Sequence, residues 1–284
     1  MSDQPANRSD TFDIGEHTVH RLGFGAMRLC GEGIIGAPDD EEHAREVLRR
    51  AVELGVDFVD TADSYGPGVD ERLVGEALGD REDVLVATKV GLLRNLEGDW
   101  LAHGAPEYIE NQVRCSLDRL RVDTIDLYQL HRPDPDTPLE DSLEVFATLV
   151  DDGLVREVGL SNVSVDQLET AREIVDVATV QNRYNVADRS SADVLAACEA
   201  YDIGFIPWAP IDADDLATVP ELEAVAEAHD ATTRQVALAW LLAHSEVTLP
   251  IPGTSSLEHL ESNVAATHLS LTDEEVARLD DAGH

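Results

Sequence analysis

Apolar positions along the chain follow two alternating rhythms. Short, nearly unbroken apolar runs occur at 22–26, 56–59, 84–88, 125–130, 154–160, 177–181, 203–208 and 247–251. Between them, at 41–54, 71–78, 106–120, 139–152, 165–175, 192–200, 220–244 and 257–266, apolar residues recur with a helical period. Runs that are apolar on both sides suit strands of a parallel sheet covered on both faces. Eight such strand and helix pairs predict an α/β fold, a (β/α)₈ TIM barrel, closed by a short C-terminal helix at 272–279. Residues 11–14 and 18–20 flank Gly15 and Glu16 and predict an N-terminal β-hairpin suited to plugging one barrel end.

Local chemistry fits those boundaries. Pro106 and Pro220 suit first helical positions, Thr137-Pro138 and 164–166 look like caps, and Gly55, Gly79 and Gly153 stand where helices should stop. With no shorter repeat and no low-complexity linker, residues 1–284 are expected to form one domain whose first ten residues are flexible. Two stretches, 91–105 and 211–219, read as irregular, and long loops on the carboxyl face of a barrel usually touch ligand.

Strand ends carry the candidate chemistry. The run at 56–59 ends in Asp60, with Tyr65 in the loop beyond it. A phenol titrates near pH ~10, so a tyrosine moving protons at neutral pH needs a nearby cation to lower that value. Lys89 ends the next strand and is the only lysine among 20 basic residues. A forked arginine replaces it poorly in a tight buried site. Other strands end in His131, in Ser161 and Asn162, in Gln181, and in Trp208. The bland alternatives are a lysine left by chance on the surface and a core histidine. Polar groups at so many strand ends weigh against both.

Composition narrows the functions available. Fifty-eight acidic residues against 20 basic ones give a net charge of −38, spread along the chain, which excludes a nucleic-acid binder. An acidic surface rich in arginine over lysine is of the halophilic type, in which molar salt screens self-repulsion. Three separated cysteines signal neither a disulfide framework nor a zinc site. No signal peptide and no long apolar run is visible, so a soluble, cytoplasmic protein with no membrane partner is expected.

Taken in order, Asp60-Thr-Ala-Asp-Ser-Tyr65-Gly, Thr88-Lys89, Leu130-His131, Gly159-Leu-Ser-Asn162, Val180-Gln181-Asn182 and Ile251-Pro-Gly-Thr-Ser-Ser resemble the aldo-keto reductase pattern over nearly the whole chain. The resemblance implies a nicotinamide-dependent carbonyl reductase using NADPH. It implies Tyr65 as general acid, Lys89 as the cation lowering its pKa, Asp60 as the partner of Lys89, and His131 as the group orienting the carbonyl. For the cofactor it implies Ser161, Asn162 and Gln181 at the carboxamide and Trp208, followed by Pro210, under the ring. Gly253, Thr254, Ser255, His259 and Asn263 would hold the adenosine end, Asn263 near the adenine. Met27 and Trp100 would wall a small-molecule carbonyl substrate.

Within that family the segments 22–28, 181–185 and 252–260 look most similar to the pyridoxal reductase branch, which implies pyridoxal as one candidate substrate. A chain ending soon after the terminal helix implies an open pocket. The oligomeric state expected is a monomer or weak homo-oligomer. Two other functions stand beside the reductase: a non-catalytic, nicotinamide-binding regulatory barrel, and a Schiff-base lyase with Lys89 as nucleophile. Gly31 to Gly36 also spells a dinucleotide fingerprint, but the carboxylates at 39–42 would repel a pyrophosphate there. Trp240 is expected in the core.

Overall fold

A computed structural model describes residues 4–283. The chain opens with the hairpin of β1 (Thr11–Ile14) and β2 (His17–His20), then β3 (Phe24–Gly25) and α1 (Glu41–Glu53). It continues through β4 (Phe58–Asp60), α2 (Val69–Leu78), β5 (Leu85–Val90), β6 (Leu92–Arg94), β7 (Trp100–Ala102), α3 (Pro106–Leu120), β8 (Ile125–Leu130) and α4 (Leu139–Asp151). Next come β9 (Val155–Ser161), α5 (Val165–Arg172), β10 (Val177–Arg183), α6 (Ala192–Tyr201), β11 (Gly204–Trp208) and α7 (Ala213–Leu216). The last helices are α8 (Glu221–Ala228), α9 (Thr233–His244), α10 (Leu257–Ala265) and α11 (Asp273–Ala282).

Seven parallel strands run in the order β3-β4-β5-β8-β9-β10-β11. The expected eighth strand is reduced to a parallel bridge between Phe205 and Thr248. It still closes the barrel: Phe205 N donates to Val247 O, Leu249 N to Phe205 O, and Gly23 N to Pro250 O beside β3. The hairpin plugs the barrel as expected, with Ile14 and Val19 in one buried cluster with Phe58, Leu85, Ala87, Leu127, Ile206 and Leu249. Two larger clusters fill the layer between strands and helices.

Strand parity then dictates the site. Side chains alternate in direction along a strand, so Phe58, Leu85, Ala87 and Leu127 inside the barrel are followed two positions on by Asp60, Ala87, Lys89 and Gln129. The interior therefore changes from apolar to polar toward the carboxyl ends. Register aligns Lys89 with Gln129, and Gln129 with Gly159. A Cβ on Gly159 would lie 2.5 Å from Thr179 Oγ1 and 2.7 Å from Gln129 Cγ, so only glycine leaves room for that glutamine.

Several expectations need correction. Residues 5–8 form a 3₁₀ turn with Ala6 buried and its N–H bonded to Leu54 O, because the turn seals the gap beside the end of α1. The expectation of flexibility therefore does not describe residues 5–8, and its part at residues 1–3 lies outside the described residues. The single helix expected at 220–244 is two: Asp230 takes a positive φ of 50°, and Thr232 starts a new helix through a capping box with Gln235. Pro220 is an N-cap rather than a first helical residue. Pro138 caps α4 without a side-chain bond, since Thr137 Oγ1 donates to Asp134 instead. Neither irregular stretch is wholly irregular. Residues 92–102 hold the β6-β7 hairpin, and Asp212 caps α7.

Candidate active site

At the carboxyl face, one cavity of about 670 Å³ collects most of the expected residues. Asp60, the last residue of β4, faces it, and its carboxylate is fully bonded. Oδ1 accepts from Lys89 Nζ at 2.5 Å, and Oδ2 accepts from Gln129 Nε2 and Gln181 Nε2, both at 3.0 Å. Lys89 is 0% exposed and lies behind the cavity wall. Its other protons go to Thr61 O at 2.8 Å and Tyr65 OH at 3.5 Å. An ammonium has three donors, and all three are used.

Tyr65, 7% exposed, presents its ring to two neighbours. His131 lies edge-on with centroids 5.6 Å apart and Trp100 at 6.2 Å. Burial, then the negative charge of Asp60, raises the Tyr65 pKa well above its ordinary value. The expected lowering by Lys89 acts on the phenolate rather than the resting phenol: burial and Asp60 dominate at rest, while the Lys89 ammonium, itself bonded to Asp60, donates to the phenol oxygen. The phenol is therefore held protonated, the state an acid needs. Burial first, then Lys89 and Arg132, holds the His131 pKa well below the usual imidazole range. The ring is neutral at neutral pH. Ser64 Oγ lies 3.3 Å from Nδ1; with that hydroxyl as donor, the remaining ring nitrogen carries a proton for an oxygen in the cavity.

Next to this cluster, Asn162 holds a positive φ of 58° and is pinned at several points. Its Nδ2 donates to His131 O and Ser161 Oγ, its Oδ1 accepts from Trp208 Nε1 at 3.1 Å, and its N–H donates to Gln181 O. Trp208 thus has a fixed ring plane at the end of β11, followed by Ala209, also at positive φ, and Pro210. Strained backbone persists only where the surroundings over-determine it. Gly253, Thr254, His259, Asn263 and Met27 line the same cavity, as does Trp100 beside Tyr65.

Besides Lys89, two expected residues stand outside the lining. Ser161 is buried behind Asn162, and Ser255 has its carbonyl bonded to His43 Nε2. Ser256 caps α10 by accepting from His259 N. The glycine-rich 31–36 segment opens no α-helix, only a 3₁₀ turn at Glu32–Ile34 broken by Gly33. Arg94 binds it by donating to Gly33 O and Ile34 O, and Asp40 caps α1 by accepting from His43 N. Trp240 is 0% exposed, as expected. Gln129, Arg28, Arg132, Arg183 and Arg234 were not singled out from the sequence. Gln129 was discoverable, since it falls two positions before His131 on the same inward face.

Among the described residues no helix is long and apolar enough to cross a membrane. The model of the aldo/keto reductase family matches residues 21–284. An uncharacterized oxidoreductase of Schizosaccharomyces pombe is 44% identical over 98% of this chain and 91% of its own. Pyridoxine 4-dehydrogenase of Escherichia coli is 39% identical over 96% of this chain and 98% of its own. In shape, the chain is similar to an aldo-keto reductase from Klebsiella pneumoniae solved in complex with NADPH, with TM-score 0.83, 28% identity, and coverage of 96% of this chain and 94% of that one.

Proposed function

The chain belongs to the aldo/keto reductase family, and on that premise we propose that it is an NADP(H)-dependent carbonyl reductase with Tyr65 as its general acid. One contact set carries this proposal: a buried ammonium bonded at once to Asp60, Thr61 O and the Tyr65 phenol, beside a neutral histidine at a cavity wall. A lyase nucleophile needs a free amine facing substrate, whereas Lys89 is fully engaged and out of reach.

The cavity suits an elongated dinucleotide. Gln181 has one amide end committed to Asp60, which leaves Oε1 to accept from a carboxamide, and Asn162 stands next to it. Trp208 offers a fixed aromatic plane for a ring. At the other end, Thr254, His259 and Asn263 can receive the adenosine, with Arg28 and Arg234 close by to favour a phosphorylated ribose. When bound, a reduced nicotinamide supplies hydride to the carbonyl carbon. The chain's own groups manage the oxygen. Tyr65 and His131 donate hydrogen bonds to it, the Tyr65 proton neutralises the alkoxide as it forms, and Lys89 stabilises the phenolate left behind until solvent restores the proton.

Similarity to a pyridoxine 4-dehydrogenase makes pyridoxal a specific candidate among small or planar carbonyls held against Trp100. Titrating NADPH and NADH against tryptophan fluorescence, then assaying pyridoxal, a plain aromatic aldehyde, methylglyoxal and a keto-steroid, tests each level. Tighter binding and higher kcat/KM with NADPH are expected. A higher kcat/KM with NADH would overturn the cofactor preference, and failure to oxidise NADPH with any carbonyl would overturn the activity.

A further inference from the structure

Arginines in this chain mostly hold carboxylates. Arg45 and Arg72 share Glu41 and Glu76, Arg119 binds Glu71, and Arg183 joins Asp188 to Asp215. Three arginines lining the cavity do not. Arg28, Arg132 and Arg234 are exposed and have neither a hydrogen bond nor an ion pair among the described residues. Arg114 and Arg278, also without partners, lie on α3 and α11 away from the lining. With 58 acidic residues available, an exposed guanidinium has carboxylates in abundance. One left without a partner at a cavity mouth retains all its donors for an anion arriving from solution.

The proposed dinucleotide explains two of the three. Arg28 stands beside Gly253, its Cγ 3.7 Å from where a Cβ would be, and Arg234 lines the cavity next to Gln235, whose Nε2 donates to Ser262 O beside Asn263. Arg132 is left over. It follows His131 directly, and its charge helps depress the imidazole pKa. The backbone there is fixed: His131 N donates to Val90 O, and Asn162 Nδ2 donates to His131 O. That anchors Arg132 at the reacting end, in the same lining as Trp100 and Tyr65.

We propose that Arg132 recognises an anionic group on the carbonyl substrate, so that the preferred substrates are aldehydes or ketones bearing a carboxylate or a phosphate. This rests on the carbonyl reductase reading above. A net charge of −38 repels anions from the surface as a whole, and a guanidinium that binds an oxyanion through two N–H groups offsets that repulsion at one point.

Three matched substrates test it: 4-formylbenzoate, 4-formylphenyl phosphate and the neutral methyl 4-formylbenzoate, each assayed with NADPH at the lowest salt that keeps the circular dichroism of the fold. Wild type should favour at least one anionic aldehyde over the ester by about tenfold or more in kcat/KM, the scale of one charge-assisted hydrogen bond. The larger of the two ratios identifies carboxylate or phosphate. Arg132→Gln should bring that ratio close to one and Arg132→Glu should invert it, with nucleotide titration of both variants verifying that the fold persists. A wild-type ratio near one, or a ratio that survives in Arg132→Gln, overturns the inference while leaving the reductase in place. No turnover of any aldehyde would remove both.

Discussion

Lys89 has three protons and meets three acceptors, while Asp60 accepts from an ammonium and two amides. A buried pair of this kind tolerates little change, because removing one partner strands the other charge in a poorly solvated site. Asp70 is the less settled neighbour. Its Oδ2 accepts from Thr61 Oγ1, its Oδ1 has no hydrogen-bond partner, and burial lifts its pKa to about 7. A carboxyl whose folded pKa exceeds its unfolded value of ~3.9 stabilises the fold fully below that lower value and loses this contribution as pH rises toward about 7. Asp70→Asn should therefore flatten stability between those limits and leave the variant more stable than wild type above pH ~7, the gap widening by up to ~1.4 kcal/mol for each pH unit climbed between them. Denaturant midpoints of both proteins across that range decide it, and parallel curves would contradict the assignment. Residue identity alone exposed Asp60, Tyr65, Lys89 and His131. It did not expose the raised Tyr65 pKa or the unpaired arginines, because both depend on which neighbours a charge meets.

At the scale of elements, the β6-β7 hairpin carries Trp100, the proposed substrate wall. Arg94 lies 3.7 Å over the Trp100 ring and donates to Gly33 O, Ile34 O and Gly98 O, tying the hairpin to the 31–36 segment without any carboxylate partner. Arg94→Gln removes the cation and most of the fork. It should raise KM for a carbonyl substrate about five- to tenfold, with a smaller fall in kcat, on the strength of one cation–π contact and lost hydrogen bonds. A shifted tryptophan emission should accompany the change, and unchanged KM and emission would show that Trp100 needs no such strap. The sequence missed this hairpin because its strands are only three residues long and joined by a polar loop. It missed the break between α8 and α9 because apolar periodicity runs through 220–244, while the capping box at Thr232 and Gln235 is short and easily overridden. Strands β4, β5, β8, β9, β10 and β11 were legible, since apolar runs buried on both faces leave a strong signal.

Over the whole molecule, closure of the sheet and the parity of its strands bring distant residues to one cavity, and that much follows from eight strand and helix pairs. The charge acts at the same scale. We infer that self-repulsion from 58 acidic residues is held in check by salt. Dialysis from molar to millimolar salt should then erase much of the far-ultraviolet circular dichroism, and a signal indifferent to salt would contradict the inference. The central claim, that the barrel assembles a proton donor at Tyr65 for carbonyl reduction, is tested most directly by Tyr65→Phe, assayed for NADPH affinity by tryptophan quenching and for turnover of an aldehyde in molar salt. The expected result is nearly unaltered affinity with turnover lower by about a hundredfold or more, the scale of a lost general acid. Turnover close to wild type would contradict it.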